Sequence, residues 1–286
     1  MFMRQDIMLK VDTHQHFWNL SEVEYSWLVP EYGPIYDTFE AHHLEPQVKA
    51  AGIDKTVLVQ SANSYEDTAY MLKVADMNAW IGGVIGWVNL LNPAETEARM
   101  RMYKKHPKFR GIRHLIHTEA DPDWVVQDVV IESLKVLAAH QMIFEVVAVF
   151  PNHLKHVPTL AHRIPDLKLV IDHLAKPPIK DKQMSPWSDQ LRAASTFANV
   201  YAKVSGLNTA ADPANWSAHD LKPYIDFTFD CFGASRMMFG SDWPVCILAG
   251  DYHKVWVETN KALAGRPQAE IDAVLGGTAT KVYGLS

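Results

Sequence analysis

Leu169-Val170-Ile171-Asp172-His173 is a run of consecutive aliphatic residues that closes on a carboxylate and an imidazole. Nothing in it alternates. A strand that is apolar on successive positions has both faces buried, which is the habit of parallel sheets covered by helices. Working outward, comparable runs fill residues 8–14, 55–60, 83–89, 109–114, 142–147, 167–173, 200–206 and 236–242, eight in all. The segments between them carry helical periodicity. Residues 132–140 place Leu134, Leu137 and Ala138 on one face, and residues 153–162 do the same with Leu154, Val157 and Leu160. Residues 220–232 carry Leu221, Tyr224, Ile225, Phe227, Thr228 and Phe232 in the same way. The strand-to-strand interval is mostly about 30 residues, the size of one βα unit. Eight such units predict an α/β fold, a closed parallel (β/α)8 TIM barrel forming a single domain over residues 1–286. An open doubly wound sheet would need a glycine-rich phosphate turn after an early strand. Gly82-Gly83 comes nearest, and it precedes a strand.

The bulk numbers agree. The chain has 286 residues, 48% of them hydrophobic, and a formal net charge of -6. Lysines and arginines are scattered among acids, with no basic stripe to neutralise phosphates, so nucleic acid is excluded as a partner. No apolar run is long enough to cross a membrane. Residues 1–10 lack the apolar segment and small-residue cleavage site of a signal peptide. The two cysteines, Cys231 and Cys246, have no zinc-finger spacing. Reduced thiols in a cytoplasmic protein are the expectation. Nothing in the sequence sets the oligomeric state.

In a barrel the chemistry sits where strands end at their carboxyl side. His14 and His16 are two apart at the end of the first run, so both aim into the mouth. Two converging imidazoles bind a divalent metal or polarise a carbonyl; buried against aromatics, they would be merely structural. His173 ends the sixth run, where Asp172 reads as a cap on the following segment, outside the site. Asp242, in Phe239-Gly240-Ser241-Asp242-Trp243-Pro244, can ligate a metal or act as general base on water. Its plain alternative is a helix N-cap. Arg113 and His114 close the fourth run, with Arg113 suited to substrate oxygens or to a surface ion pair. Glu145 stands inside an apolar run and must be paired or face a polar cavity. Lys203 stands similarly, either to read hydroxyls or to pair with Glu145. Between His16 and Glu40 the aromatics Trp18, Tyr25, Trp27, Tyr32 and Tyr36 crowd a long loop, either a plug over the mouth or a pocket wall. The remaining histidines, His42, His43, His106, His153, His156, His219 and His253 among them, read as solvated.

Five motifs taken in order resemble one family. They are Asp12-Thr13-His14-Gln15-His16-Phe17-Trp18, Phe109-Arg110-Gly111-Ile112-Arg113-His114, Val170-Ile171-Asp172-His173 with Lys176-Pro177, Lys203-Val204-Ser205-Gly206, and Phe239-Gly240-Ser241-Asp242-Trp243-Pro244. The chain resembles the amidohydrolase-related barrel hydrolases, in the branch that contains sugar lactonases and dicarboxylate lactonases. The resemblance implies a distorted barrel, Asp242 activating water, and His14, His16 and His173 around it. Two departures stand out from the wider superfamily. Arg113 and His114 occupy the place of a bridging lysine, and Glu145 the place of a fifth-strand histidine. The resemblance thus implies at most one divalent metal, zinc on His14, His16 and Asp242, and a lactonase branch that does not require it.

The expected activity is hydrolysis of a neutral sugar lactone in carbohydrate metabolism. His14, His16, His173 and Asp242 would be catalytic; Arg113, His114, Glu145, Lys203, Trp18 and Trp27 would bind substrate. An anionic lactone would call for two or more converging cations, and the sequence offers Arg113. A zinc-dependent decarboxylase is the alternative, and it would demand a metal. A non-catalytic sugar-binding barrel is the other, and it would have no use for the base Asp242.

Overall fold

Eight parallel strands pair in sequence order, β1 to β8. They are β1 Val11–Gln15, β2 Lys55–Val59, β3 Ile81–Gly86, β4 Phe109–His114, β5 Ile143–Val146, β6 Lys168–Ile171, β7 Val200–Val204 and β8 Met237–Phe239. This computed structural model describes residues 8–286. The reading of residues 1–10 as free of a signal peptide therefore falls largely outside the described residues. Helices α1 Ala41–Ala51, α2 Tyr65–Met77, α3 Pro93–Tyr103, α4 Asp128–Ala139, α5 Val157–Arg163, α6 Trp187–Ser195, α7 Ala218–Phe232 and α8 Tyr252–Leu263 follow the strands in turn. Short helices α9 Gln268–Asp272 and α10 Thr278–Tyr283 end the chain. The expected (β/α)8 barrel is what forms. Each of the eight runs overlaps a strand; β1 ends one residue past its run and β3 starts two residues before its run, while the others lie within theirs. No helix among the described residues is long and apolar enough to cross a membrane. Cys231 and Cys246 are both free.

The barrel interior has two layers, and this division creates the site. Val11, Val57, Val59, Ile85, Ile143, Val170 and Met238 pack together as one apolar cluster inside the strands. Tyr283 and Leu285 close that layer from the carboxyl terminus. The outward positions, such as Leu58, Ile112, Phe144, Leu169 and Ala202, join the larger core under the helices. With side chains alternating along a strand, the inward positions further along are Arg113, Glu145 and Lys203. Arg113 lies opposite Glu145 across β4 and β5. An aliphatic lower layer thus supports a charged upper layer.

The seam between β1 and β8 is irregular. It is closed by a bridge between Gln15 and Trp243 and by a bond from Ser241 N to Asp12 Oδ1 at 2.9 Å. Asp242 N donates to His14 O at 2.7 Å, so the first-strand histidines and Asp242 are fixed to one another through backbone. Asp12 is fully buried, and burial raises its carboxyl to about 6.

Candidate active site

His14, His16, His173 and Asp242 converge. Asp242 Oδ1 lies 3.8 Å from His14 Nε2, 3.6 Å from His16 Nε2 and 3.9 Å from His173 Nε2. Burial alone would raise Asp242, but His173, His16, Lys176 and His14 outweigh it and hold the carboxyl far below the usual range. Burial also holds the three imidazoles low, His173 at about 3, so all three stay neutral. Asp242 Oδ2 has no hydrogen-bond partner. The Asp242 residue borders a cavity of about 400 Å³, which His16, Trp18, Trp27, Arg113, His173 and Lys176 also line, among others.

Asp242 and His173 both stand beyond the ends of their strands. Both have positive φ, 60° and 55°. Gly206 makes room between them. At φ +57° a Cβ there would lie 2.6 Å from Asp242 Oδ2 and 2.7 Å from His173 Nδ1, so only glycine fits. His173 Nδ1 meets Ser205 Oγ at 2.9 Å.

The hydrogen bonds assign one tautomer. His16 Nδ1 lies 2.8 Å from the Val59 carbonyl, which only accepts. Nδ1 therefore carries the proton and Nε2 keeps its lone pair. That lone pair faces His14 Nε2 at 3.1 Å and the Asp242 carboxylate. Two imidazoles and a carboxylate within 4.8 Å of one another form a set of acceptors that suits a divalent ion. Arg113 Nη1, 3.2 Å from His14 Nε2, brings a cation of the chain's own to the same place.

Several assignments change. Asp172 does not cap a segment outside the site. It is 1% exposed and links Arg113 at 3.2 Å, His14 Nδ1 at 3.3 Å and Lys203 at 3.4 Å. Glu145 and Lys203 pair with each other at 2.6 Å, both fully buried, and neither lines the cavity. Tyr283 donates to Glu145 at 2.6 Å from below. Of the two expectations for Lys203 the pairing with Glu145 is what forms, and with Lys203 Nζ 3.2 Å from His14 Nδ1 the pair supports His14 instead of lining the cavity. His114 also turns away. Trp87 Nε1 donates to its Nδ1 at 3.0 Å, its Nε2 meets Glu119 at 2.7 Å, and it stacks on Trp124 at 4.1 Å. It holds the loop after β4, which carries the cavity residues Leu115 and His117.

The aromatic loop is both plug and wall. Phe17 and Trp18 are fully buried, while Trp18, Trp27 and Tyr32 line the cavity. Trp27 is anchored by its Nε1 on Ser61 O at 2.6 Å. His153 and His156, read as solvated, are 6% and 9% exposed, because the turn after β5 folds inward.

Lys176 and His117 line the cavity without having been singled out. The signal for Asp172 was available: a carboxylate closing an apolar strand is costly to bury without partners. For Lys176 only its place in a quoted motif pointed to the site.

A family model described as amidohydrolase matches residues 11–285. The L-fucono-1,5-lactonase of Burkholderia ambifaria is 36% identical over 279 residues, covering 96% of this chain and 95% of that protein. The L-fucono-1,5-lactonase of Burkholderia multivorans is 33% identical, covering 97% and 96%. A crystal structure of an amidohydrolase from Burkholderia multivorans with bound zinc superposes with a TM-score of 0.90 at 31% identity, covering 97% of this chain and all of that one. On the sequence match and on the barrel that carries the site, this chain belongs to the amidohydrolase family.

Proposed function

We propose that this chain hydrolyses a neutral sugar lactone to its aldonic acid, with L-fucono-1,5-lactone and L-rhamnonolactone the first substrates to try. The observation that carries the reading is Asp242, an ionised carboxylate on an aromatic-walled cavity whose Oδ2 has no hydrogen-bond partner among the described residues. Such an oxygen takes a proton from a water held against it. The cavity's apolar walls, Trp18 and Trp27 included, suit the C–H face of a sugar, and a few polar groups suffice to orient it.

Charge balance favours a neutral substrate. Arg113 and Lys176 both reach the cavity, yet Arg113 faces Asp172 at 3.2 Å and Lys176 faces Asp242 at 3.8 Å. Lys203 is matched by Glu145. No net positive charge is left to hold a dicarboxylate.

In the reaction, Asp242 takes a proton from water as the water oxygen bonds to the lactone carbonyl carbon. His16 and His173 border the cavity beside the carboxylate, whose place is fixed by the bond from Asp242 N to His14 O. The ring C–O bond then breaks, and the ring oxygen receives the proton from Asp242. A divalent ion, zinc by preference, would be held by His14, His16 and Asp242, and would supply a Lewis acid and a more acidic bound water. An alkoxide leaving group needs modest help, and Arg113 already places positive charge at His14, so lactone hydrolysis depends weakly on the ion.

The test is kcat/KM by acid release across neutral sugar lactones, dicarboxylate lactones and alkyl lactones, with and without chelator. A neutral sugar lactone should lead, elemental analysis should find at most one divalent ion per chain, and chelation should leave most of the activity. A leading dicarboxylate or alkyl lactone, two ions per chain, or complete reversible loss on chelation would contradict the respective part of the reading.

A further inference from the structure

Residues 173–176 form a left-handed turn made without glycine. His173, Leu174, Ala175 and Lys176 have φ of 55°, 49°, 62° and 53°. For side chains with a Cβ this conformation is unfavourable, and it persists only where the surroundings enforce it. Here three bonds enforce it. Lys176 N donates to His173 O at 2.9 Å and Phe150 N to Ala175 O at 2.9 Å. Trp187 Nε1, at the start of α6, donates to Leu174 O at 2.7 Å, and that indole is fully buried.

The turn delivers two side chains to one carboxylate. His173 Nε2 comes to 3.9 Å from Asp242 Oδ1, and Lys176 Nζ to 3.8 Å from Asp242 Oδ2. A right-handed continuation of β6 would not present both. The ammonium has three donors. Gly206 O at 3.3 Å and Thr209 Oγ1 at 3.0 Å take two of them. Asp242 Oδ2 is too distant for a hydrogen bond with the third. That donor has no acceptor among the described residues, and the residue lines the cavity.

We propose that Lys176 is a further catalytic residue, whose free N–H donates to the lactone carbonyl oxygen, and that Trp187 is the positioning residue that holds it there. The inference rests on the lactonase reading. When the water oxygen bonds to the carbonyl carbon and Asp242 takes the water proton, the carbonyl π pair moves onto the oxygen facing Lys176. Collapse returns that pair to the C=O bond. The ring C–O bond breaks with its electrons on the ring oxygen, which takes the proton from Asp242. Lys176 remains an ammonium throughout and acts by stabilising the oxyanion from a fixed position.

The experiment is steady-state kinetics on the best neutral sugar lactone. Lys176→Met should lower kcat by about 10²–10³-fold, the scale for one oxyanion donor, with KM within about threefold. Lys176→Arg keeps the positive donor and should recover part of the loss. If the methionine variant fails to fold, Lys176→Gln takes its place as the charge-free variant, and an arginine variant as inactive as it contradicts the proposal. Trp187→Phe keeps an aromatic ring, though a smaller one, and removes the N–H. It should lower kcat about tenfold in the folded enzyme, and add less than threefold in the Lys176→Met background because it acts through Lys176. A Lys176→Met enzyme with kcat within threefold of wild type, or a loss confined to KM, overturns the catalytic role. Full additivity of Trp187→Phe overturns the positioning role. A wild type inactive on every neutral sugar lactone instead defeats the lactonase reading itself, a result distinguishable from an active wild type whose Lys176→Met variant is equally active.

Discussion

Replacing Asp172 by asparagine keeps its shape and removes its charge. The carboxylate is 1% exposed and lies between Arg113, 4% exposed, and Lys203, which is fully buried. Burial would raise it, but Lys203, His14 and Arg113 hold it far below the usual carboxylate range. Breaking a buried pair by removing one partner costs about 3–5 kcal/mol, because a charge is left uncompensated. Lys203 keeps Glu145 at 2.6 Å, and Arg113 keeps the Gln60 carbonyl, so the lower end applies, about 3 kcal/mol. Unfolding entropy near 2.1 cal/mol/K per residue gives roughly 600 cal/mol/K for this chain. The expected drop in Tm is then about 5 °C. Glu132→Gln is the control: its pair with Lys135 at 2.7 Å is exposed on both sides, and such pairs contribute about 0.5 kcal/mol or less. Scanning calorimetry on both variants decides it. Arg113→Met added to Asp172→Asn should recover part of the loss, since no lone charge then remains. An Asp172→Asn variant as stable as the control would refute the buried network as described.

Gly206→Ala places a Cβ 2.6 Å from Asp242 Oδ2 at a backbone φ of +57°. Activity should fall by about 10²-fold, as for a displaced catalytic group, and retained turnover in that variant would show that the carboxylate does not need this space. His114 accepts from Trp87 Nε1, which only a neutral ring can do, and burial lowers its pKa. A depressed folded pKa contributes stability that is full above the unfolded value of about 6.5 and is lost as pH falls through the folded one. The Tm of wild type should therefore decline more steeply below about pH 6.5 than that of His114→Gln; parallel Tm–pH curves would count against the locked tautomer.

Much of the fold was legible because parallel barrel strands are buried on both faces, and consecutive aliphatics such as Leu169-Val170-Ile171 report that directly. The convergence of His14, His16, His173 and Asp242 followed from their places at strand ends. What the sequence could not supply was depth. Arg113, Glu145 and Lys203 all occupy inward positions of buried strands, and Arg113 and Glu145 are even register partners, so the pattern alone does not tell the cavity-lining Arg113 from the buried pair. Asp172 was set aside as a cap, although the cost of burying its charge argued for partners. Lys176 was hidden for a different reason. Its position depends on a left-handed turn held by Trp187 from a later helix, and no local propensity of His-Leu-Ala-Lys encodes that conformation.

Asp242 is proposed to activate water against a neutral sugar lactone. The most direct measurement compares acid release from L-fucono-1,5-lactone by wild type and by Asp242→Asn, with folding checked by circular dichroism. Wild type should hydrolyse the lactone rapidly, and the variant should lose about 10²-fold or more, the scale for removing a general base. A folded Asp242→Asn enzyme with near-normal turnover would contradict it.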